Sequence, residues 1–171
     1  VYEISKKIIN TKNSYMKIQD TKRGRCNLIS NVDGVISFLP NQLFSINSIT
    51  HDIGISSLKA FSKVKKNQVV VSIKAIPFGI KRKYLQNIIN ISKDCFKILP
   101  FQKKNVHLVQ TTNQNTSAKI LEKTLKVTRD RLSSCGINQI VEKKCFHEIR
   151  SISLQLNKSI NENADIILIF G

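Results

Sequence analysis

From residue 106 to residue 170 the sequence alternates short apolar runs with amphipathic segments, and this alternation constrains the fold more than any other feature. Strands are predicted at residues 106–110, 137–141 and 165–170, and helices between them, the first ending at Gly136 as its C-terminal cap. Strand, helix, strand, helix and strand in this order favour a parallel sheet with right-handed crossovers. The run IILIF before Gly171 predicts a fully buried strand. Three parallel strands form the first half of a doubly wound α/β domain.

The first 104 residues have shorter and less regular elements. The segments CNLIS and VISFL predict a β-hairpin, because Asp33 and Gly34 between them can adopt the positive φ of a tight turn. A helix starting at Pro40, a strand at residues 69–76, a helix at 81–92 and a strand at 96–101 follow. We therefore predict a small α+β domain at residues 1–104, incomplete at its start, and a partial α/β domain at residues 105–171.

The chain is strongly basic, with 28 Lys and Arg against 11 Asp and Glu and a formal net charge of +17. Such a charge suggests binding to nucleic acid or to another polyanion. The lysines are scattered, their densest groups are short, and no surface aromatic residues that could stack on bases are interleaved with them. A solvated basic face is the favoured interpretation and nucleic acid an unlikely partner, with a basic nucleic-acid-binding module as the alternative function.

The cysteines, the apolar segments and the first residue indicate where the protein is located and whether the chain is a fragment. The cysteines are far apart and form no CxxC pair, which predicts free buried thiols rather than a zinc or redox site. No signal peptide or membrane helix is recognisable, so a cytoplasmic protein without a membrane partner is expected. Because the chain begins at Val1 and stops after a core strand, we expect it to be a fragment of a longer protein.

Ligands of open parallel sheets bind outside the carboxyl ends of the strands, which directs attention to three loops. The first, TTNQNTS, offers Thr111, Thr112, Thr116 and Ser117 together with the N–H groups of a helix N-terminus, which suit a phosphate. From composition alone, the favoured alternative is that Thr116 or Ser117 serves only as the helix N-cap. The third loop begins with Gly171, and a glycine there permits close approach of backbone and ligand.

The second loop, EKKCFHE, contains Cys145, His147 and Glu148. Three such residues are too few for a metal site, and a Cys and a His two positions apart need not face each other as a nucleophile pair. A role at the start of the next helix is favoured for His147 and Glu148. His107, inside the first strand of this half, is predicted to be a hydrogen-bonded core histidine.

Several sequence segments resemble those of one protein family. The segments KILEKTLKVTRDRL, KCFHE and ADIILIFG, with KAIPF earlier in the chain, are similar to the molybdopterin-binding domain used in molybdenum-cofactor biosynthesis. The resemblance implies an α/β domain whose strand-end loops hold the pterin and its phosphate. It places Thr111 and Thr112 in the first ligand loop, Ser117 at the start of the following helix, and Gly171 at the first position of the loop after the third strand.

The resemblance also implies ligands and partners: molybdopterin or the molybdenum cofactor, a nucleotide, and further copies of the chain in a homo-oligomer. Relatives that catalyse adenylyl transfer or metal insertion carry an acidic motif in the first loop, whereas this chain has TTNQN without a carboxylate. We therefore expect cofactor binding without catalysis by this segment. It would capture the pterin phosphate and present the cofactor to an activity encoded downstream.

Overall fold

The computed structural model describes residues 1–9, 15–21 and 24–171. These residues form five α-helices and ten β-strands in three sheets, so the chain is mixed α/β. It divides into two compact units, Val1–Phe101 and Gln102–Gly171. The sequence suggested a boundary three residues later, after residue 104. None of the described helices combines the length and the apolar character that a membrane crossing requires.

Unit 1, Val1–Phe101, consists of short elements, as expected of an α+β chain. Its helices are α1 (Tyr2–Ile8), α2 (Pro40–Asn47) and α3 (Arg82–Ile91). Its strands are β1 (Met16–Asp20), β2 (Arg25–Ser30), β3 (Gly34–Ser37), β4 (Ile53–Ser57), β5 (Lys63–Val64), β6 (Val69–Ala75) and β7 (Lys97–Pro100). Pro40 begins α2, where its missing N–H costs nothing, and this confirms the predicted helix start.

Two antiparallel sheets share one apolar core in unit 1. The first has the strand order β1-β2-β6-β4 and the second β5-β3-β7. The core includes Ile4 and Ile8 from α1, Leu28 from β2 and Phe96 before β7, all with no exposed surface. The ring of Phe96 lies 4.8 Å from that of Phe38, measured between centroids.

The predicted hairpin of β2 and β3 is wrong, because the two strands belong to different sheets. Gly34 does not have a positive φ and is the first residue of β3, paired with Pro100 of β7. A Cβ on Gly34 would meet the carbonyl oxygen of Leu99 and lie 3.0 Å from the Cα atom of Pro100. The glycine is therefore required by a close approach of two strands and not by a turn.

Unit 2, Gln102–Gly171, confirms the predicted parallel sheet. Its elements are β8 (Val106–Thr112), α4 (Ala118–Ser133), β9 (Ile140–Phe146), α5 (Ile149–Asn161) and β10 (Ile166–Phe170). The strand order is β10-β8-β9, and both pairs are parallel. Gly136 has a φ of 77° in the turn after α4, so the predicted C-terminal glycine is confirmed.

Burial in unit 2 is concentrated on the central strand. Every residue of β8 from Val106 to Thr111 is buried, because β8 has a neighbour on each side. The apolar run of β10 was predicted to be fully buried, and this prediction is wrong. Ile169 is 49% exposed and Phe170 is 40% exposed, because β10 is an edge strand. Helical spacing also predicts that α5 turns four apolar residues inward, Ile149, Ile152, Leu156 and Ile160. Ile152 and Leu156 are partly buried, but Ile149 and Ile160 are largely exposed.

Candidate functional site

The two helical connections of unit 2 place their strands on opposite sides of the central strand β8. The chain passes from β8 through α4 to β9 on one side, and from β9 through α5 to β10 on the other side of β8. The carboxyl ends of β8 and β10 therefore form a topological switch point, where open α/β sheets bind their ligands. Thr111, Thr112 and Gly171 lie at this edge.

The two helices pack on opposite faces of β8. The side-chain amide of Gln110 donates to the carbonyl of Leu121 in α4 over 3.2 Å. The neighbouring residue Thr111 points to the other face, since side chains alternate along a strand. On that other face Lys143 of β9 donates to Glu162, at the end of α5, over 2.6 Å. Thr111 thus lies on the α5 side of the sheet.

Thr111 is buried and holds a histidine at the edge of the sheet. Its Oγ1 atom lies 2.8 Å from Nδ1 of His147, at hydrogen-bond distance, whereas His147 itself is exposed. No hydrogen bond to Nε2 of His147 is present in the described part of the chain. The backbone N–H of His147 donates to the carbonyl of Thr112 over 2.9 Å. Both contacts fix the ring and leave Nε2 facing away from its two partners.

Gly171 closes the same cluster from the side of β10. Phe170 pairs with Gln110, so Gly171 follows at the level of Thr111. A Cβ on Gly171 would lie 2.7 Å from Oγ1 of Thr111 and 3.0 Å from Cε1 of His147. Real Cβ atoms essentially never lie 2.7 Å from another heavy atom. A glycine is therefore needed here if Thr111 and His147 are to keep their hydrogen bond.

Thr111 and Thr112 are strand residues rather than loop residues, which corrects the predicted position. They pair with Cys145 and Phe146 of β9, and Oγ1 of Thr112 donates to the carbonyl of Cys145 over 3.3 Å. Ladder pairing with β9 extends β8 to Thr112. Both threonines still lie at the carboxyl end, where the ligand edge was expected.

Several polar groups of the loop between β8 and α4 form hydrogen bonds with one another. Oγ1 of Thr116 accepts from the backbone N–H of Asn113 over 2.9 Å and donates to the Asn113 side chain over 3.0 Å. Ser117 is the N-cap of α4, and its hydroxyl accepts from the N–H of Ile120 over 3.4 Å. The N-cap alternative is confirmed for Ser117, and its contact with a cofactor remains a prediction.

Two helix N-termini point to the switch-point edge, because α4 and α5 each follow the carboxyl end of a strand. α5 starts at Ile149, directly after His147 and Glu148, which confirms the predicted position of these two residues at a helix start. Glu148 makes no side-chain cap hydrogen bond. Free first-turn N–H groups carry a partial positive charge, so both helix ends favour an anion at this edge.

The predicted second loop is mostly strand. β9 covers Ile140–Phe146, so Cys145 lies within it and only His147 and Glu148 remain between β9 and α5. Burial raises the pKa of the Cys145 thiol, which disfavours a thiolate nucleophile. The described residues contain no group of three or more His, Cys, Asp and Glu side chains that could hold a metal ion.

All four cysteines are free, as predicted, although only Cys26 and Cys95 are fully buried. The predicted core position of His107 is also confirmed, since it is 1% exposed. The predicted hydrogen bonding of His107 is not confirmed, since its Nδ1 atom has no partner within the described residues. The same holds for Oγ of Ser159 on α5.

A cleft of about 460 Å³ lies between β9 and α5 and adjoins the switch-point edge through Thr112. Phe146 and Leu154 form apolar parts of its wall, and Lys158 supplies a positive charge. Gln155 also lines the cleft, and its buried Nε2 has no hydrogen-bond partner among the described residues. The cleft has the size of a small-molecule site.

His147 is the site residue whose contact with Thr111 sequence reasoning missed. The available signal was its place in the second of the three loops expected at the carboxyl edge, where the end of β8 also lies. Comparisons with family models, with curated proteins and with solved structures find no match to this chain.

Proposed function

We propose that unit 2 binds molybdopterin or the molybdenum cofactor, with the phosphate at the switch-point edge. The single observation that carries the proposal is the cluster in which the Thr111 hydroxyl holds the His147 ring beside Gly171. A buried hydroxyl, an exposed imidazole and a glycine at the ends of adjacent strands suit an anion that approaches the backbone closely.

The proposed chemistry of the site is phosphate capture. When the Thr111 hydroxyl donates to Nδ1 of His147, Nε2 carries the proton and can donate to a phosphate oxygen. The first-turn N–H groups of α5, which starts at Ile149 directly after His147, would provide further donors. Thr111 is a positioning residue in this scheme, whereas His147 contacts the ligand.

The cleft between β9 and α5 would hold the pterin ring. Its volume of about 460 Å³ suits a small fused-ring ligand. Phe146 and Leu154 would cover the apolar faces of the ring. Because the loop after β8 carries no carboxylate, we propose binding and presentation of the cofactor rather than catalysis by these residues.

The test is purification of the chain under reducing, anaerobic conditions, followed by fluorescence detection of oxidised molybdopterin and by titration with the free ligand. We expect T111V and H147A to weaken binding about tenfold or more, since each removes one charge-assisted or positioning hydrogen bond worth about 1.5 kcal/mol. H51A, which alters an exposed histidine of unit 1, is the matched control. Absence of bound molybdopterin, or wild-type affinity in H147A, would contradict the proposal.

The basic nucleic-acid-binding module remains the competing function. In unit 2 part of the positive charge is neutralised internally, since Lys104 and Lys143 form ion pairs with Asp165 and Glu162 at 3.1 and 2.6 Å. A nucleic-acid module requires an affinity that falls steeply as salt increases. Titration with single-stranded and duplex oligonucleotides at two salt concentrations therefore separates the two functions.

We also propose that unit 2 forms a homo-oligomer. Its edge strand β10 and helix α5 expose large apolar side chains, among them Ile149 at 86% and Ile169 at 49%. Burying such surface favours assembly. Light scattering should show an oligomer that I149K dissociates and that I76K, which alters an exposed isoleucine of unit 1, does not. A monomeric wild-type chain would contradict this.

A further inference from the structure

An apolar groove of about 660 Å³ lies in unit 1, between α2 and the segment that follows β4. Its walls include Leu43, Leu58 and the aromatic rings of Phe38, Phe44 and Phe61. Phe44 is 74% exposed and Phe61 is 71% exposed, although Phe38 beside them is buried in the core. Two largely exposed phenylalanines in one groove are a common property of protein-binding surfaces.

Phe61 is exposed at the cost of backbone strain. Its φ is 62°, in the left-handed region that a residue with a bulky side chain rarely adopts. The backbone N–H of Phe61 donates to the carbonyl of Ile36 over 2.8 Å, which holds this conformation. Glycine would adopt it without strain, and the exposed ring adds little to the core. Strained residues that do not serve the fold are often retained for binding.

The groove cannot accept an extended peptide by adding a strand to β4 at Ile55. β4 is an edge strand, but the Asn47 side chain occupies that edge: its Nδ2 donates to the carbonyl of Ile55, and its Oδ1 accepts from the Ile55 N–H, both over 2.9 Å. The hydroxyl of Ser57 donates to the Leu58 carbonyl. A partner must therefore satisfy its own backbone hydrogen bonds, as a helix does, and insert apolar side chains.

Charge selects among helical partners. Lys59 is the charged residue of the groove lining, and the sequence of unit 1 has 17 Lys and Arg against 5 Asp and Glu. This balance attracts an acidic partner and repels a second copy of the same surface.

We propose that this groove binds an amphipathic helix of a partner protein, whose apolar side chains contact Phe44 and Phe61 and whose acidic side chains lie against Lys59. The contact uses the mode in which a helix places its apolar face in a hydrophobic groove. It is independent of the cofactor site proposed for unit 2.

The probe is a fluorescent peptide of about 18 residues, long enough to form a helix, with Leu and Phe at helical spacing and Glu at the other positions. A second peptide has Lys in place of Glu, and a third has the residues of the first in scrambled order. Fluorescence anisotropy with the full chain should show binding of the Glu peptide at least tenfold tighter than that of either control peptide.

Variants of the groove provide the decisive comparison. F44A and F61G should each weaken binding of the Glu peptide about tenfold or more, and F61G should keep or raise the Tm because glycine accepts a positive φ. F78A, which removes a fully exposed phenylalanine outside the groove lining, should bind as the wild type does. Equal affinity for all three peptides, or wild-type affinity in F44A and F61G, would overturn the proposal.

Vesicles of phosphatidylglycerol and phosphatidylcholine test the other occupant of an apolar, basic surface. We expect that F44A and F61G do not change sedimentation of the chain with these vesicles. Vesicle binding that both substitutions abolish, without binding of the Glu peptide, would assign the groove to a lipid surface and overturn the helix proposal.

Discussion

Replacing Gly34 with alanine should destabilise unit 1 by about 2 kcal/mol, through a contact between two strands. The added Cβ would lie 3.0 Å from the carbonyl carbon of Leu99 and from Cα of Pro100, and closer still to the Leu99 carbonyl oxygen. Carbon atoms pack best at about 3.5–4.0 Å, so β3 and β7 would have to separate by roughly 0.5–1 Å. All three atoms belong to the backbone of β7, which cannot turn aside as a side chain can.

The matched control is Gly54 in β4, where a Cβ would have no neighbour within 4 Å. Without a clash, a Gly to Ala substitution reduces the entropy of the unfolded chain, so G54A should be neutral or stabilising by up to about 1 kcal/mol. For a unit of this size, the loss in G34A corresponds to a Tm that is lower by about 8–16 °C. The two glycines should thus give opposite or clearly unequal shifts.

Tyrosine fluorescence during urea unfolding is the assay, because the chain has no tryptophan and its three tyrosines, Tyr2, Tyr15 and Tyr84, all lie in unit 1. A lower midpoint with an unchanged m value would report a change in stability. G34N separates the steric explanation from a turn, because asparagine tolerates a positive φ but is larger than alanine. A G34A midpoint at or above that of the wild type, or a G34N chain more stable than G34A, would refute the reasoning.

Three further predictions concern other parts of the fold. The backbone N–H of Asn105 and the side chain of Lys104 lower the pKa of Asp165. The stabilisation that the Asp165 carboxylate gives is therefore present above its unfolded pKa and is lost as the pH falls below about 4, so D165N should abolish that part of the acid unfolding transition measured by circular dichroism. Burial raises the pKa of Cys95 to about 11, so iodoacetamide at pH 8 should alkylate this thiol in urea but not in the native chain. Mass spectrometry detects the alkylated residue. N47A should leave the N–H and carbonyl of Ile55 without a partner on the edge of β4, which should lower the free energy of unfolding by roughly 1–2 kcal/mol and speed aggregation measured by light scattering. An unchanged aggregation rate would contradict the role of Asn47 at this edge.

The elements of unit 2 could be predicted because each carries local signals of the right period. α4 has a capping serine, Ser117, before it and a positive-φ glycine, Gly136, after it, and both signals act within one turn of the helix. The position of β9 was harder to predict. Its residues Glu142 and Lys143 read as loop residues, but an edge strand accepts polar side chains, and pairing with β8 determines its extent.

Long-range partners account for the other differences. Asp33 and Gly34 resemble a hairpin turn, but the actual partners of β3 come from β5 and β7, and no local signal specifies them. The site contact of His147 is of the same kind, since its partner Thr111 is 36 residues earlier. The carboxyl-edge rule located the end of β8 and Gly171 correctly, but the hydrogen bond that joins Thr111 to His147 depends on the register between β8 and β9.

The central position of β8 has a consequence for the order of folding. Gln110 meets Glu142 of β9 across a separation of 32 residues, whereas Asn105 meets Asp165, next to β10, across 60. Closing the longer loop costs more entropy, so we expect β10 to dock last and to be weakly formed in the transition state. Substitutions in β10 should then accelerate unfolding while leaving the folding rate nearly unchanged. Gly171 would join Thr111 and His147 only in the final step, so the ligand edge would exist only in the fully folded unit.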